Sequence, residues 1–290
     1  MASTTSNGIT IEYETTGDPA DPALLLVMGL GAQHLAWHPD FRRLLADRGF
    51  HVIVHDNRDV GLSSKIEDGP KPDIAAAFGG DFSSASYTLS DMAADSMGVL
   101  DALGIDQAHV VGASMGGMIA QTIAIEHPAR VKTLCSIMSM TGADDVGTPT
   151  GEAMGVLLKS PASSREEAIA NSVEASKVIG SPAYPTPDDV LAERAAAAYD
   201  RCFYPIGIAR QLLAIRASGD RTAALGQLDV PTVVIHGDVD PLVTVSGGEA
   251  TAKAIPGADL LIIEGMGHDN PNQLWPRIVD AIVENAAKRP

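Results

Sequence analysis

The chain alternates two kinds of apolar pattern. Short unbroken runs, "ALLLVMG" (23–29), "HVIVHDN" (51–57), "HVVGAS" (109–114) and "VKTLCSIMS" (131–139), are rich in β-branched residues and leucine and lack a polar face. A strand covered on both sides has this character, whereas a half-solvated strand alternates apolar and polar residues. Between the runs lie stretches with helical spacing: "FRRLLADRG", "SDMAADSMGVLDALG" and "MGGMIAQTIAIEHP", the last closing on Pro128, where a helix stops readily. Upstream, "ITIEYETT" follows an Asn7-Gly8 pair, which predicts an antiparallel hairpin.

From about Thr141 to Leu228 the strand pattern disappears, and residues 151–180 and 188–226 read as helices separated by "SPAYPTPDD". After Pro231 the strands return as "TVVIHGD" (232–238) and "DLLIIEG" (259–265), with the helix "QLWPRIVDAIVENAAK" at the end. Strand–helix alternation predicts an α/β fold, a mostly parallel twisted sheet flanked by helices and joined by right-handed crossovers. The predicted organisation is a core of residues 1–140 and 229–290, with 141–228 as a helical cap inserted before the last two strands. Such an insertion falls over the C-terminal edge of the strands, where parallel sheets bind ligands.

Composition narrows the partners more than the chemistry. With 290 residues, 45% of them apolar and 20% charged, the chain can bury one substantial core,. A formal net charge of −17 argues against nucleic acid and against an anionic membrane surface,. The opening "MASTTSNGIT" lacks the basic and apolar regions of a secretory signal, and "ALLLVMGL" is too short to cross a bilayer,. Cys135 and Cys202 are the only cysteines and form no C-x-x-C pair, so a cytoplasmic location is expected. Cys135 falls in an apolar run and reads as core. Nothing in the sequence sets the oligomeric state, and the expectation is a monomer or a homodimer.

The informative stretch is "HVVGASMGGMIAQ" (109–121), in which "GASMG" fits G-x-S-x-G. The string alone is weak, but here a strand precedes it and a helix follows, the setting such a motif requires. A serine held in so sharp a turn exposes its hydroxyl, and its neighbours two residues away must lack bulk. Gly112 and Gly116 meet that demand. The competing reading is an ordinary helix-capping serine beside packing glycines.

A serine hydroxyl needs a base, and the base needs an orienting acid. In a fold of this type the order is serine, acid, histidine, on loops after successive strands. "HGDVDPLV" and "GMGHDNP" follow the last two strands and supply both. Among eight histidines, "HLAWH" (34–38) has no glutamate after its first histidine, so it is not a zinc-protease helix. His51 and His55 lie about 13 Å apart along one strand, too far to share a metal. His236 is the main rival, although its place before Gly237 suits loop shaping. His268 is the predicted base. Asp240, beside Pro241, is preferred as the acid to Asp238, which reads as a turn residue; Asp144 and Asp145 are more remote alternatives.

With these motifs assembled, the sequence resembles the α/β-hydrolase superfamily along nearly its whole length. The carrying segments are "VMGLG", "HDNRDVGLS", "GASMGG", "PTVVIHGDVDPLV" and "GMGHD". The runs "GDPADPALLLVMG" and "AHVVGASMG" are most similar to the aclacinomycin methylesterase branch of serine esterases. That resemblance implies Ser114 as nucleophile, Asp240 as acid and His268 as base, with the backbone amides of Leu30 and Met115 as the oxyanion hole. Many relatives carry His-Gly where this chain has Met28-Gly29. "DNRDVGLS" matches a loop usually written D-x-R-G-x-G-x-S, with Asp59 in place of a glycine; Asp56, Arg58 and Ser63 read as structural there.

The expected activity is hydrolysis of carboxylic esters of a small to medium apolar substrate through an acyl-enzyme, with no metal and no organic cofactor. His34, Trp37, Met140 and Met266 are candidate pocket residues, each of which would serve equally well in core packing. The same three side chains would also suit lactone opening, C–C hydrolysis or cofactor-free perhydrolysis. A ligand receptor that has lost turnover is the alternative outside enzymology.

Overall fold

The computed structural model describes residues 2–290. Eight strands form one sheet: β1 Ala2–Ser6, β2 Ile9–Thr16, β3 Ala23–Val27, β4 His51–His55, β5 Ala108–Ala113, β6 Val131–Ile137, β7 Thr232–Gly237 and β8 Asp259–Ile263. Their order is β1-β2-β4-β3-β5-β6-β7-β8. The β1–β2 and β2–β4 pairs are antiparallel and every later pair is parallel. Asn7 and Gly8 turn the opening hairpin with φ of 48° and 80°, the left-handed pair that a two-residue turn demands.

Helices α1 Pro39–Ala46, α2 Ile74–Phe78, α3 Leu89–Ala102 and α4 Met115–Glu126 precede β6. The parallel strands β3 to β7 are mostly apolar because both faces are covered, whereas β8, at the edge of the sheet, is exposed at Asp259 and Leu260. Leu25 and Val27 of β3 join the layer beneath α3 and α4, whereas Leu24 and Leu26 join the opposite layer, beneath α1 and a C-terminal helix. Cys135 of β6 is buried in that second layer, and burial pushes its thiol well above the ordinary range.

Five helices separate β6 from β7: α5 Gly151–Leu157, α6 Arg165–Ile179, α7 Asp188–Arg201, α8 Pro205–Ser218 and α9 Thr222–Leu225. The chain closes with α10 Ser246–Ala254 and α11 Trp275–Ala286. The two long helices expected over 151–180 and 188–226 are thus broken into shorter ones. Ser164 caps α6 through its hydroxyl, Pro205 begins α8 and Gly219 ends it at φ 63°. Each break has local chemistry that helical spacing does not register. Helix α2, which the apolar pattern does not mark, is capped by Asp73. Among the described residues, no helix is long and apolar enough to cross a membrane.

Candidate active site

The loops after β3, β5, β7 and β8 leave the sheet at the C-terminal ends of parallel strands and converge. Ser114 stands between β5 and α4 with φ 57° and ψ −124°, a conformation costly for any residue bearing a Cβ. The turn holds because strand and helix touch. A Cβ on Gly112 would lie 2.0 Å from the Gly116 carbonyl oxygen, and one on Gly116 would lie 2.1 Å from that of Val27. The Ser114 N–H donates to the Ile137 carbonyl at 2.9 Å, tying the turn to β6.

His268 follows β8. Its Nε2 is 2.9 Å from Ser114 Oγ, and its Nδ1 is 2.7 Å from Asp240 Oδ2. The other oxygen, Asp240 Oδ1, accepts the backbone N–H groups of Leu242 and Val243, each at 2.9 Å. Burial alone would raise the Asp240 pKa, but the adjacent His268 and its hydrogen bond, the nearby His236 and the Val243 amide outweigh it and hold it at about 2. An ionised Asp240 can only accept, so the His268 proton sits on Nδ1 and Nε2 is left to accept from the serine hydroxyl.

The competing residues are employed elsewhere. His236 is fully buried and its Nε2 donates to the Val243 carbonyl at 2.7 Å, shaping the loop that carries Asp240. Asp238 accepts the Gly265 N–H at 2.7 Å, which joins the ends of β7 and β8. Asp144 is exposed and lies 3.4 Å from Arg216. Gly29 packs against the serine, since a Cβ there would lie 3.0 Å from Ser114 Cβ. Next to it, the Leu30 N–H donates to no protein acceptor among the described residues, and neither does that of Met115 at the first position of α4.

Ser114 and His268 open into a cavity of about 1410 Å³ between the sheet edge and the inserted helices. Leu30, Trp37, Met115 and Met140 are on its wall. His34 and Met266, expected in the pocket, are not. His34 is fully buried behind the loop: its N–H donates to Asp56 Oδ1 at 2.8 Å, and its Nε2 accepts from Arg201 at 2.9 Å. Burial keeps the His34 pKa low, which leaves the ring neutral and able to accept. Met266 is fully buried between the sheet and α11, on the inward side of the loop that turns His268 outward. Sequence reasoning also missed the wall supplied by Phe78 of α2 and by Met154, Leu157 and Ile179 of the insertion. Helical spacing marks the three positions of the insertion as apolar without saying what they face, and it does not mark α2 at all.

A mostly parallel sheet carrying a serine at a strained strand–helix turn, with a histidine and a buried carboxylate in line, defines a class of protein. The chain belongs to the alpha/beta hydrolase fold family, which it matches over residues 22–184. It is 30% identical to the rhodomycin D methylesterase DauP of Streptomyces sp. (strain C5), over 96% of this chain and 95% of that protein. This agrees with the methylesterase branch that the motifs resemble. Among solved structures, the meta-cleavage product hydrolase of Pseudomonas fluorescens IP01 superposes with a TM-score of 0.79 at 19% identity, covering 99% of this chain and 98% of that one. A thermophilic esterase of Thermogutta terrifontis superposes with a TM-score of 0.73 at 26% identity, covering 99% and 96%.

Proposed function

We propose that this chain is a serine hydrolase of carboxylic esters, with Ser114 as nucleophile, His268 as general base and acid, and Asp240 as the residue that orients the imidazole. The observation that carries the reading is the unbroken line from Asp240 through His268 to Ser114, with links of 2.7 and 2.9 Å, at the edge of the cavity. As Ser114 Oγ attacks the ester carbonyl, its proton passes to His268 Nε2, and Asp240 stabilises the resulting imidazolium. The Leu30 and Met115 amides receive the tetrahedral oxyanion, each worth about 3 kcal/mol by analogy with a comparable donor. His268 then protonates the departing alkoxide, leaving an acyl-serine. Water deprotonated by the same nitrogen attacks that ester and frees the acid.

Residues 141–228 serve in this reading as a cap that forms the far wall. A cavity of about 1410 Å³ exceeds the usual range for small-molecule pockets, so it has room for a substrate bulkier than the small to medium one expected. Its mostly apolar wall, with Met115, Met140 and Met154, suits a large apolar acyl group. The methylesterase relative supports a methyl ester as the scissile group.

The test is fluorophosphonate labelling together with hydrolysis of p-nitrophenyl and methyl esters. We expect a single adduct on Ser114, and turnover that Ser114→Ala abolishes without unfolding the protein. Ester turnover that survives Ser114→Ala would overturn the assignment.

A further inference from the structure

The loop that carries the Leu30 amide is not held by the sheet alone. Asn57 Nδ2 donates to the Met28 carbonyl at 2.8 Å on one side. On the other, the Gly31 N–H donates to Gln211 Oε1 at 2.8 Å. Gln211 lies on α8, within the inserted helices, and is completely buried. Its Nε2 donates to the Arg58 carbonyl at 2.8 Å, so both ends of the amide are engaged and the side chain has a single orientation. Gln211 is absent from the cavity wall and does not reach substrate.

We propose that Gln211 is a positioning residue for the oxyanion hole: it clamps the peptide next to Leu30 so that the Leu30 N–H stays aimed at the tetrahedral oxyanion. The proposal rests on the serine-esterase reading above. A glutamine suits the task because one group must accept from Gly31 while another donates to Arg58, and a buried amide does both without a charge. The fixed orientation matters because an oxyanion donor works only if it needs no rearrangement as charge develops. Without the clamp the Gly31 N–H is unpaired, the loop can rotate to satisfy it, and Leu30 turns with it.

The experiment replaces Gln211 with methionine, which keeps length and volume but neither hydrogen bond, and repeats the measurement in Gln211→Leu, so that the test survives if one variant fails to fold. Hydrolysis of a p-nitrophenyl ester should show kcat lower by about tenfold to a hundredfold with KM within about twofold. An aryl trifluoromethyl ketone, which gains an oxyanion on adding to Ser114, should lose affinity by a similar factor. The matching methyl ketone, bound without that charge, should not. A general loss of packing would weaken both ketones alike, and that result would overturn the proposal. So would parental kcat in a folded variant. If the parent protein neither hydrolyses the ester nor takes up a fluorophosphonate, the esterase reading itself fails and this assignment goes with it.

Discussion

Among single residues, three carry unusual strain or charge. Ser114 adopts φ 57° because the hydroxyl must project from the turn. Ser114→Gly, which removes the Cβ that makes this conformation costly, should raise stability by about 1 kcal/mol in urea unfolding while ending turnover. Asp59 is left-handed too, at φ 66°. Aspartate tolerates that conformation, and here its oxygens accept from the Ile66 N–H at 2.7 Å and the Tyr87 hydroxyl at 2.9 Å. Asp240 stays ionised because its pKa is held at about 2. Asp240→Asn should lower kcat by about 10⁴ by favouring the wrong imidazole tautomer, with the far-ultraviolet circular dichroism unchanged.

At the scale of elements, the inserted helices grip the site from two sides. Gln33 donates to the Ala198 and Cys202 carbonyls at 2.7 and 3.1 Å, and Arg201 donates to Asp56 at 2.6 Å, so α7 is fastened to the loops after β3 and β4. On the other side, the His268 N–H donates to the Ile179 carbonyl at 2.6 Å, and Ser181 Oγ accepts the Gly267 N–H at 2.9 Å. The end of α6 therefore braces the histidine loop. A Cβ on Gly267 would lie 2.4 Å from the Gly180 carbonyl oxygen and 2.6 Å from that of Ile179. Gly267→Ala should separate the two segments, lowering kcat at least tenfold and the melting temperature by several degrees. Parental kcat and melting temperature would show that the contact is dispensable.

Across the molecule, histidines buried in the sheet should make stability fall with acid. His55 ends β4, fully enclosed, with Nε2 3.1 Å from Ser96 Oγ, and burial lowers its pKa from 6.5 to about 4, opposed by Asp56 and aided by His34. The unfolded chain takes up this proton near pH 6.5 and the native protein only near 4. Between those values the unfolded state binds more protons, so stability is complete above about pH 6.5 and is lost as the pH falls towards 4. The gap corresponds to at most about 3 kcal/mol from this residue. Urea midpoints measured at pH 7 and pH 5 should show the loss, and His55→Gln, with no proton to take up, should reduce it, leaving the share of His109, which burial likewise lowers to about 4. Equal slopes in the two proteins would place the acid sensitivity elsewhere.

The central strands were legible in the sequence, because a segment buried on both faces must be largely apolar, and that demand is local. The sequence also marked Ser114, Asp240 and His268 as candidates, since each sits beside a strand end with neighbours chosen for a turn. Tertiary structure decided the 2.9 Å and 2.7 Å links among them, because residues 154 and 28 positions apart meet only when the strands align. It also decided which apolar residues face the cavity: Met140 does, while Met266 fills the layer behind His268. Hydrophobic spacing records that a side chain avoids water, and an apolar cavity and an apolar core satisfy that condition equally. The grip of Gln211 and Arg201 on the loop after β3 was illegible for the same reason, since a buried polar residue is specified by a distant partner rather than by its own neighbours.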